Sequence, residues 1–271
     1  MIGPDAARYL LAGQGQRVAR PFNMRWLLPL LCRDDPKRWM AVWLCSWPLV
    51  AAGAVWWALG TGVDVWQAVA AAAILVALPG ILGPAAVRPV GVDLPALAVG
   101  LFAAGCFARG WWPAALVLAL AAGSIKESYP LWIALWAWNP LALVALVGPV
   151  AVYLIRRPAM DEVTAIAQLR EIHDHPFRSS LAHHRGRWRD AWLMVAPWGV
   201  GLAALVAPSP QLVATVGLAY AQLVGVTDTV RVYQFAAGPV VALAAAQVVP
   251  PQWLLLAVVL HVVWWRKPEF V

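Results

Sequence analysis

Long apolar segments separated by short polar ones dominate this chain. A helix needs about 20 apolar residues to cross the hydrocarbon core of a bilayer, and several of these segments reach that length while others fall short. The pattern predicts an all-α polytopic bundle of about eight to eleven membrane segments with short interfacial helices. Apolar segments lie near residues 39–60, 66–87, 93–108, 110–124, 128–156, 191–207, 211–227, 234–249 and 251–265.

Proline and asparagine mark breaks inside two of these segments. Pro79-Gly80 interrupts 66–87, and Asn139-Pro140 falls within 128–156. Asn-Pro steps favour turns, so 128–156 is either one long tilted segment or a short interfacial helix followed by a span. The positive-inside rule favours a single crossing of the membrane by 128–156, whereas a shared site on the outer face favours two crossings.

The composition supports a membrane protein. The chain is 62% hydrophobic and only 12% charged, whereas soluble domains have about 25% charged residues. Its 18 tryptophans fit the same class because indole rings collect at membrane interfaces. We expect one integral membrane domain over 1–271, with a polar segment at 1–38 that carries an interfacial helix, and a long basic loop at 156–190.

Charge and cysteine content narrow the range of partners. The net charge is +7, but the basic residues are scattered over loops, which favours anionic lipid headgroups over nucleic acid. The three cysteines have no CxxC spacing, so neither a zinc site nor a disulfide framework is indicated. The histidines of the 156–190 loop likewise lack a metal-binding spacing.

Lys126 and Glu127 stand out because they place two charges between apolar segments. A charged side chain at hydrocarbon depth costs about 2.5 to 3.5 kcal/mol on insertion scales. These residues are therefore expected to lie at an interface, face a cavity or pair with each other. They form either a solvated helix end or, with Lys126 at the mouth of the bundle, a site for an anion such as phosphate.

Three aspartates, Asp5, Asp93 and Asp228, stand at the edges of apolar segments. Each alone fits a helix cap, since aspartate favours the positive N-terminal end of a helix. Together with Lys126 and Arg231 they indicate a site. A carboxylate can act as general base on a sugar hydroxyl, while lysine and arginine can hold a phosphate leaving group.

The order of these residues resembles the bacterial GT-C-type membrane glycosyltransferases, which take sugar from a polyprenyl-phosphate donor on the outer face. The similarity covers most of the chain and lies in a pattern of motifs. Those motifs are Asp5-Ala6-Ala7-Arg8-Tyr9, then Arg20-Pro21-Phe22-Asn23-Met24-Arg25-Trp26-Leu27-Leu28-Pro29, Val92-Asp93-Leu94-Pro95, Ser124-Ile125-Lys126-Glu127, and Thr227-Asp228-Thr229-Val230-Arg231 followed by Pro239.

The resemblance implies roles for these residues. Asp5 maps to the family's candidate base, and Asp93 would assist acceptor or metal positioning, so both are catalytic candidates. The family normally has a transmembrane helix ahead of its loop aspartate, so this chain is expected to be a shortened member. Sugar transfer would take place at a bacterial plasma membrane, and a divalent metal would be compatible with it. The substrate-binding candidates are Lys126, Glu127, Arg25, Asp228 and Arg231.

A rival reading is a non-catalytic polytopic membrane protein, either a degenerate relative or the partner of a larger complex. The many tryptophan and alanine positions support it, because small residues let membrane helices pack closely against other helices. If the chain is an enzyme, Asp5, Asp93 and Lys126 should converge on one cavity.

Overall fold

The fold of the described part of the chain consists of helices and contains no strand. The computed structural model describes residues 4–18, 21–87, 89–156, 195–225, 229–250, 252–254, 256 and 258–259. The α-helices are α1 (Pro4–Gly13), α2 (Leu27–Cys32), α3 (Pro36–Gly60), α4 (Val65–Ala77), α5 (Pro79–Val87), α6 (Asp93–Ala108), α7 (Trp112–Ile125), α8 (Tyr129–Trp136), α9 (Val147–Ile155), α10 (Pro210–Ala221) and α11 (Thr229–Val248). Four 3-10 segments join them, at Phe22–Met24, Pro140–Leu146, Ala196–Val206 and Gln222–Gly225.

The helices fall into two compact units. Unit 1 is Met1–Thr61 with Ala85–Ala165, and unit 2 is Gly62–Pro84 with Ile166–Val271. Each unit is described by itself below. The expectation of one membrane domain over 1–271 stays a prediction.

Helix α3 is the membrane-spanning candidate. Among the described residues it is the one helix both long enough and apolar enough to cross a bilayer, with 25 residues and a mean hydropathy of 1.5 over its best window. The Asp35 side chain accepts a hydrogen bond from the Lys37 backbone N–H at 2.8 Å, and Pro36 occupies the first turn, which fixes where the helix starts. The segment predicted at 39–60 lies within it. The polytopic bundle stays a prediction, because no other helix among the described residues is both long enough and apolar enough to cross.

Close packing of α3 on α6 forms the centre of unit 1. Small residues make this possible, since a Cβ at Gly105 of α6 would lie 2.2 Å from Cδ1 of Trp56 on α3. The buried Ala54 and Ala58 of α3 are similarly small. At the end of α6 the guanidinium of Arg109 lies 3.6 Å from the centroid of the Trp56 ring, a cation–π contact that covers the indole.

Both predicted breaks are confirmed. Helix α4 ends at Ala77 and α5 begins at Pro79, so the chain is broken one residue before the Pro79-Gly80 pair. In the second case α8 ends at Trp136, and the Asn139 side chain accepts from the Leu141 backbone N–H at 3.0 Å before the Pro140–Leu146 segment. The short-helix alternative for 128–156 therefore describes the helical pattern.

A buried glutamine holds together three elements of unit 2. Gln234 of α11 is fully buried, and its side chain accepts from the Gly80 backbone N–H at 2.6 Å and donates to the Pro197 carbonyl at 2.7 Å. The first N–H groups of a helix have no partner within the helix, and the break before α5 leaves the Gly80 N–H in that state. Gln234 satisfies it, and so ties α11 to α5 and to the Ala196–Val206 segment.

Replacing Gln234 with leucine should destabilise the protein strongly. The substitution leaves the buried Gly80 N–H and Pro197 carbonyl without partners, and each such loss costs about 1–3 kcal/mol. Thermal unfolding of the purified protein should detect this. Gln247→Leu is the matched control, because Gln247 is an exposed residue of the same helix, and its melting temperature should stay near that of the wild type. Equal melting temperatures for the two variants would contradict the structural role of Gln234.

Candidate functional site

The hairpin of α6 and α7 brings Asp93 and Lys126 together. Helix α6 begins at Asp93, and the chain turns through residues 109–111 into α7, which ends at Ile125 with Lys126 as its C-cap. The two helices are therefore antiparallel neighbours, and the start of one lies beside the end of the other. Nζ of Lys126 forms an ion pair with Oδ1 of Asp93.

Each charge of this pair also suits its helix end. Asp93 lies in the first turn of α6, where the helix dipole favours a negative charge, and Lys126 follows the last turn of α7, where it favours a positive one. The hydroxyl of the buried Tyr129 donates to the Asp93 backbone carbonyl at 3.2 Å, which fixes the start of α8 against the start of α6. About four-fifths of both charged side chains is shielded from solvent, with 20% of Lys126 and 21% of Asp93 exposed.

Glu127 pairs with Arg25 rather than with its neighbour Lys126. Nε and Nη2 of Arg25 each donate to one oxygen of the Glu127 carboxylate at 2.8 Å, a two-pronged geometry that matches the planar guanidinium. Nη1 of Arg25 donates to the hydroxyl of Tyr9, also at 2.8 Å. These contacts connect α1, the turn after Phe22–Met24 and the end of α7. We call Tyr9, Arg25, Asp93, Lys126 and Glu127 the ion-pair cluster.

Aromatic packing holds the N-terminal part of the cluster in place. The Tyr9 ring meets Phe22 edge-on with centroids 5.3 Å apart, and lies 5.9 Å from the ring of Trp39, which is fully buried. Helix α1 ends in direct contact with the backbone of Arg33, since a Cβ at Gly13 would lie 2.2 Å from the Arg33 carbonyl oxygen. Only glycine fits there, and this close approach sets the position from which α1 presents Tyr9.

The charges of the cluster shift the ionisation of its members. Burial by itself would raise the pKa of Glu127, but the Arg25 guanidinium outweighs burial and lowers it below the usual glutamate value. Burial would likewise lower the pKa of Arg25, and the neighbouring Tyr9 and Glu127 raise it instead. Burial raises the pKa of Tyr9 to about 12, against partial opposition from Arg25. Arg25 and Glu127 are thus charged, and Tyr9 neutral, at physiological pH.

Four of the seven predicted site residues meet in this cluster, namely Asp93, Lys126, Glu127 and Arg25. Asp5 lies one helical turn before Tyr9 in α1, where Oδ1 is 3.4 Å from Nη1 of Arg8 and 53% of the side chain is exposed. Arg231 lies in α11, within unit 2, and Asp228 lies outside the described residues.

Sequence reasoning missed the two tyrosines of this region. Tyr9 belongs to the quoted Asp5–Tyr9 motif, and its position four residues after Asp5 puts it on the same helical face. That spacing was the available signal. Tyr129 directly follows the Lys126–Ser128 stretch, but nothing in the sequence points its hydroxyl at the Asp93 carbonyl.

No group of three or more histidine, cysteine, aspartate or glutamate side chains suitable for a metal ion occurs within the described part of the chain. Comparison with models of known protein families, with curated proteins and with solved structures gives no significant match. Functional assignment therefore rests on the geometry of the cluster.

A double-mutant cycle on Arg25 and Glu127 should show strong coupling. Removing one partner of a buried ion pair lowers the free energy of unfolding by about 3–5 kcal/mol, because the other charge is left buried without a partner. Arg25→Met and Glu127→Leu should each destabilise the protein by roughly that amount, whereas the double variant should cost clearly less than their sum. Stability can be followed by chemical denaturation.

The ion pair of Asp35 with Arg38 provides the control for this cycle. Its N–O distance is 3.4 Å, and 57% of the Arg38 side chain and 42% of the Asp35 side chain are exposed. Exposed pairs are worth about 0–1 kcal/mol, so its coupling should be small. Equal coupling energies in the two cycles would show that the Arg25–Glu127 pair is not a special constraint.

Stability should also decline at alkaline pH through Tyr9. The tyrosine of the unfolded chain ionises near pH 10, whereas folded Tyr9 stays neutral to about 12. The folded state therefore binds more protons between these values, and the contribution of Tyr9 is full below about pH 10 and lost as the pH rises toward 12. The wild type should lose about 2 to 3 kcal/mol relative to Tyr9→Phe over this range. A difference that does not change with pH would contradict this.

Proposed function

We propose that the protein is a GT-C-type membrane glycosyltransferase that transfers a sugar from a polyprenyl-phosphate donor to a hydroxyl-bearing acceptor. The observation that supports this is the ion-pair cluster, in which residues far apart in the sequence meet at one end of the α6–α7 hairpin. Cations beside carboxylates at the ends of apolar helices suit a reaction in which a hydroxyl loses a proton and a phosphate departs.

In this proposal Lys126 and Arg25 act through N–H donors that their ion pairs do not use. Lys126 has three N–H donors and gives one to Asp93, so two remain for phosphate oxygens. Arg25 has five N–H donors and gives three to Glu127 and Tyr9. A phosphate can therefore be bound without breaking either ion pair.

The proposed transfer begins with proton removal. Asp5, half exposed at the start of α1, takes the proton of the acceptor hydroxyl. The acceptor oxygen then bonds to the sugar C1, the bond from C1 to the phosphate oxygen breaks, and polyprenyl phosphate leaves with the electron pair. Lys126 neutralises the charge that develops on the leaving phosphate, and Asp93 orients the acceptor.

The proposal includes a polytopic arrangement in a bacterial plasma membrane. Helix α3 has the length to cross by itself, and the shorter apolar helices would line the bundle beside it. Large exposed apolar side chains at the end of α9 support this, since Leu154 and Ile155 are 76% and 79% exposed. Such surfaces are stable when lipid covers them.

A non-catalytic membrane protein is the second candidate. It is favoured by the fact that both acids of the cluster are already neutralised, Asp93 by Lys126 and Glu127 by Arg25. Paired charges of this kind can serve to tie helices together, and an assembly partner in a larger complex needs no more than that.

An in vitro transfer assay separates the two candidates. Purified protein in lipid is incubated with a panel of radiolabelled polyprenyl-phosphate sugars and acceptor. Transfer should fall about 10²- to 10⁴-fold in Asp5→Asn, which lacks the base, and about 10²- to 10³-fold in Lys126→Ala, which lacks the cation at the leaving group.

Asp34→Asn and Lys37→Ala are the controls, because both residues are exposed and lie outside the cluster. They should retain wild-type transfer. Unchanged transfer in Asp5→Asn and Lys126→Ala would remove both residues from the mechanism. Absence of transfer with every donor, from protein that melts cooperatively, would favour the non-catalytic candidate.

A further inference from the structure

Four arginines line a cleft in unit 1, beside the ion-pair cluster. The cleft has a volume of about 550 Å³, and Arg17, Arg25, Arg33 and Arg156 contribute to its lining. This size lies within the range of small-ligand sites, about 300–1,000 Å³. We call it the arginine cleft.

The positive charge of the arginine cleft is largely unbalanced. No aspartate or glutamate is among its lining residues. Arg25 is neutralised by Glu127, whereas Arg17, Arg33 and Arg156 are exposed and form no ion pair with a described carboxylate. Like charges gathered around one cavity repel, and a bound anion would relieve that repulsion.

Two of the arginines are already held in place. Nη1 of Arg156 donates to the Asn23 backbone carbonyl at 3.4 Å, and its guanidinium lies 6.0 Å from the centroid of the Trp26 ring. Arg25 is fixed by Glu127 and Tyr9, which take three of its five N–H donors. A planar guanidinium can donate to two oxygens of one phosphate. When the guanidinium is already held in position, less side-chain freedom is lost on binding.

Apolar residues lie at the same cleft. Pro29 and Leu30 of α2 form part of its lining, and Leu30 is 62% exposed. The next residue, Leu31, is 58% exposed. A positively charged cavity next to solvent-exposed leucines matches a ligand with a phosphate at one end and a hydrocarbon chain at the other.

We propose that the arginine cleft binds a phosphate group, and the neighbouring leucines favour a phosphate carried by a lipid. A free phosphate and a lipid headgroup share the chemistry that the arginines recognise, so the test must separate these two sources. The inference does not depend on sugar transfer, because it concerns binding alone.

Melting temperature in detergent, measured with added ligand, tests the proposal. The probes are inorganic phosphate, phosphatidylglycerol in mixed micelles, and phosphatidylcholine as the zwitterionic reference. The test variant is Arg17→Gln with Arg33→Gln. Its matched control is Lys37→Gln with Arg38→Gln, which removes the same charge from exposed residues outside the cleft lining.

Phosphatidylglycerol should raise the melting temperature of the wild type and the control, and phosphatidylcholine should not. The test variant lacks two of the four guanidinium groups and should need roughly tenfold more phosphatidylglycerol for half the effect, a loss of about 1.4 kcal/mol in binding. The same pattern with inorganic phosphate identifies the phosphate group as sufficient, whereas an effect confined to phosphatidylglycerol identifies the lipid as the source.

Three results would overturn the proposal. The three proteins could depend equally on phosphatidylglycerol, or the control could need as much additional phosphatidylglycerol as the test variant. The third result is a wild-type melting temperature that neither phosphatidylglycerol nor inorganic phosphate raises. If the test variant melts early without ligand, Arg17→Gln alone replaces it. Arg17 lies in an exposed stretch outside the helices, so this change leaves the fold intact.

Discussion

Neutralising two adjacent charges in an otherwise apolar region is the constraint on which unit 1 depends. Lys126 and Glu127 follow the end of α7, and neither is open to water on all sides. An unpaired charge in such surroundings would cost several kcal/mol, so each needs a partner of opposite sign. Successive residues of an extended backbone point in different directions, and the two charges therefore take different partners, Asp93 and Arg25.

These two pairings organise different parts of the unit. The pair of Lys126 with Asp93 closes the open end of the α6–α7 hairpin. The pair of Glu127 with Arg25 brings in the N-terminal segment, because Arg25 also binds the Tyr9 hydroxyl of α1. Arg25 thereby stands between the ion-pair cluster and the arginine cleft, and occupancy of the cleft would act on the cluster through its guanidinium.

Helix positions were largely predictable from the sequence. Helices α3, α6 and α7 follow apolar segments with clear boundaries, and the breaks at Pro79 and Pro140 reflect the missing N–H and fixed φ of proline. The ends of a hairpin must meet, so the proximity of Asp93 and Lys126 also follows from helix lengths alone. Hydrophobicity alone could not show which of the short apolar helices cross the membrane, because a crossing also requires a length of about 20 residues.

The partner of Glu127 could not be predicted. Arg25 lies 102 residues away, and its approach depends on how α1 and the Phe22–Met24 turn pack against one another. That packing rests on ring contacts of Tyr9 with Phe22 and on the close contact at Gly13, neither of which leaves a periodic signal. The motif identifies Asp5 as a candidate base, but it does not predict which side chain Asp5 contacts. In the structure that side chain is Arg8.

Exchanging the charges of Asp93 and Lys126 tests most directly whether these pairings hold unit 1 together. Asp93→Lys alone and Lys126→Asp alone each place two like charges in contact, and both variants should melt well below the wild type. In the chain with both substitutions the attraction returns, though with each charge at the unfavourable helix end, so its melting temperature should recover most of the loss. A double variant no more stable than the worse single one would contradict the account.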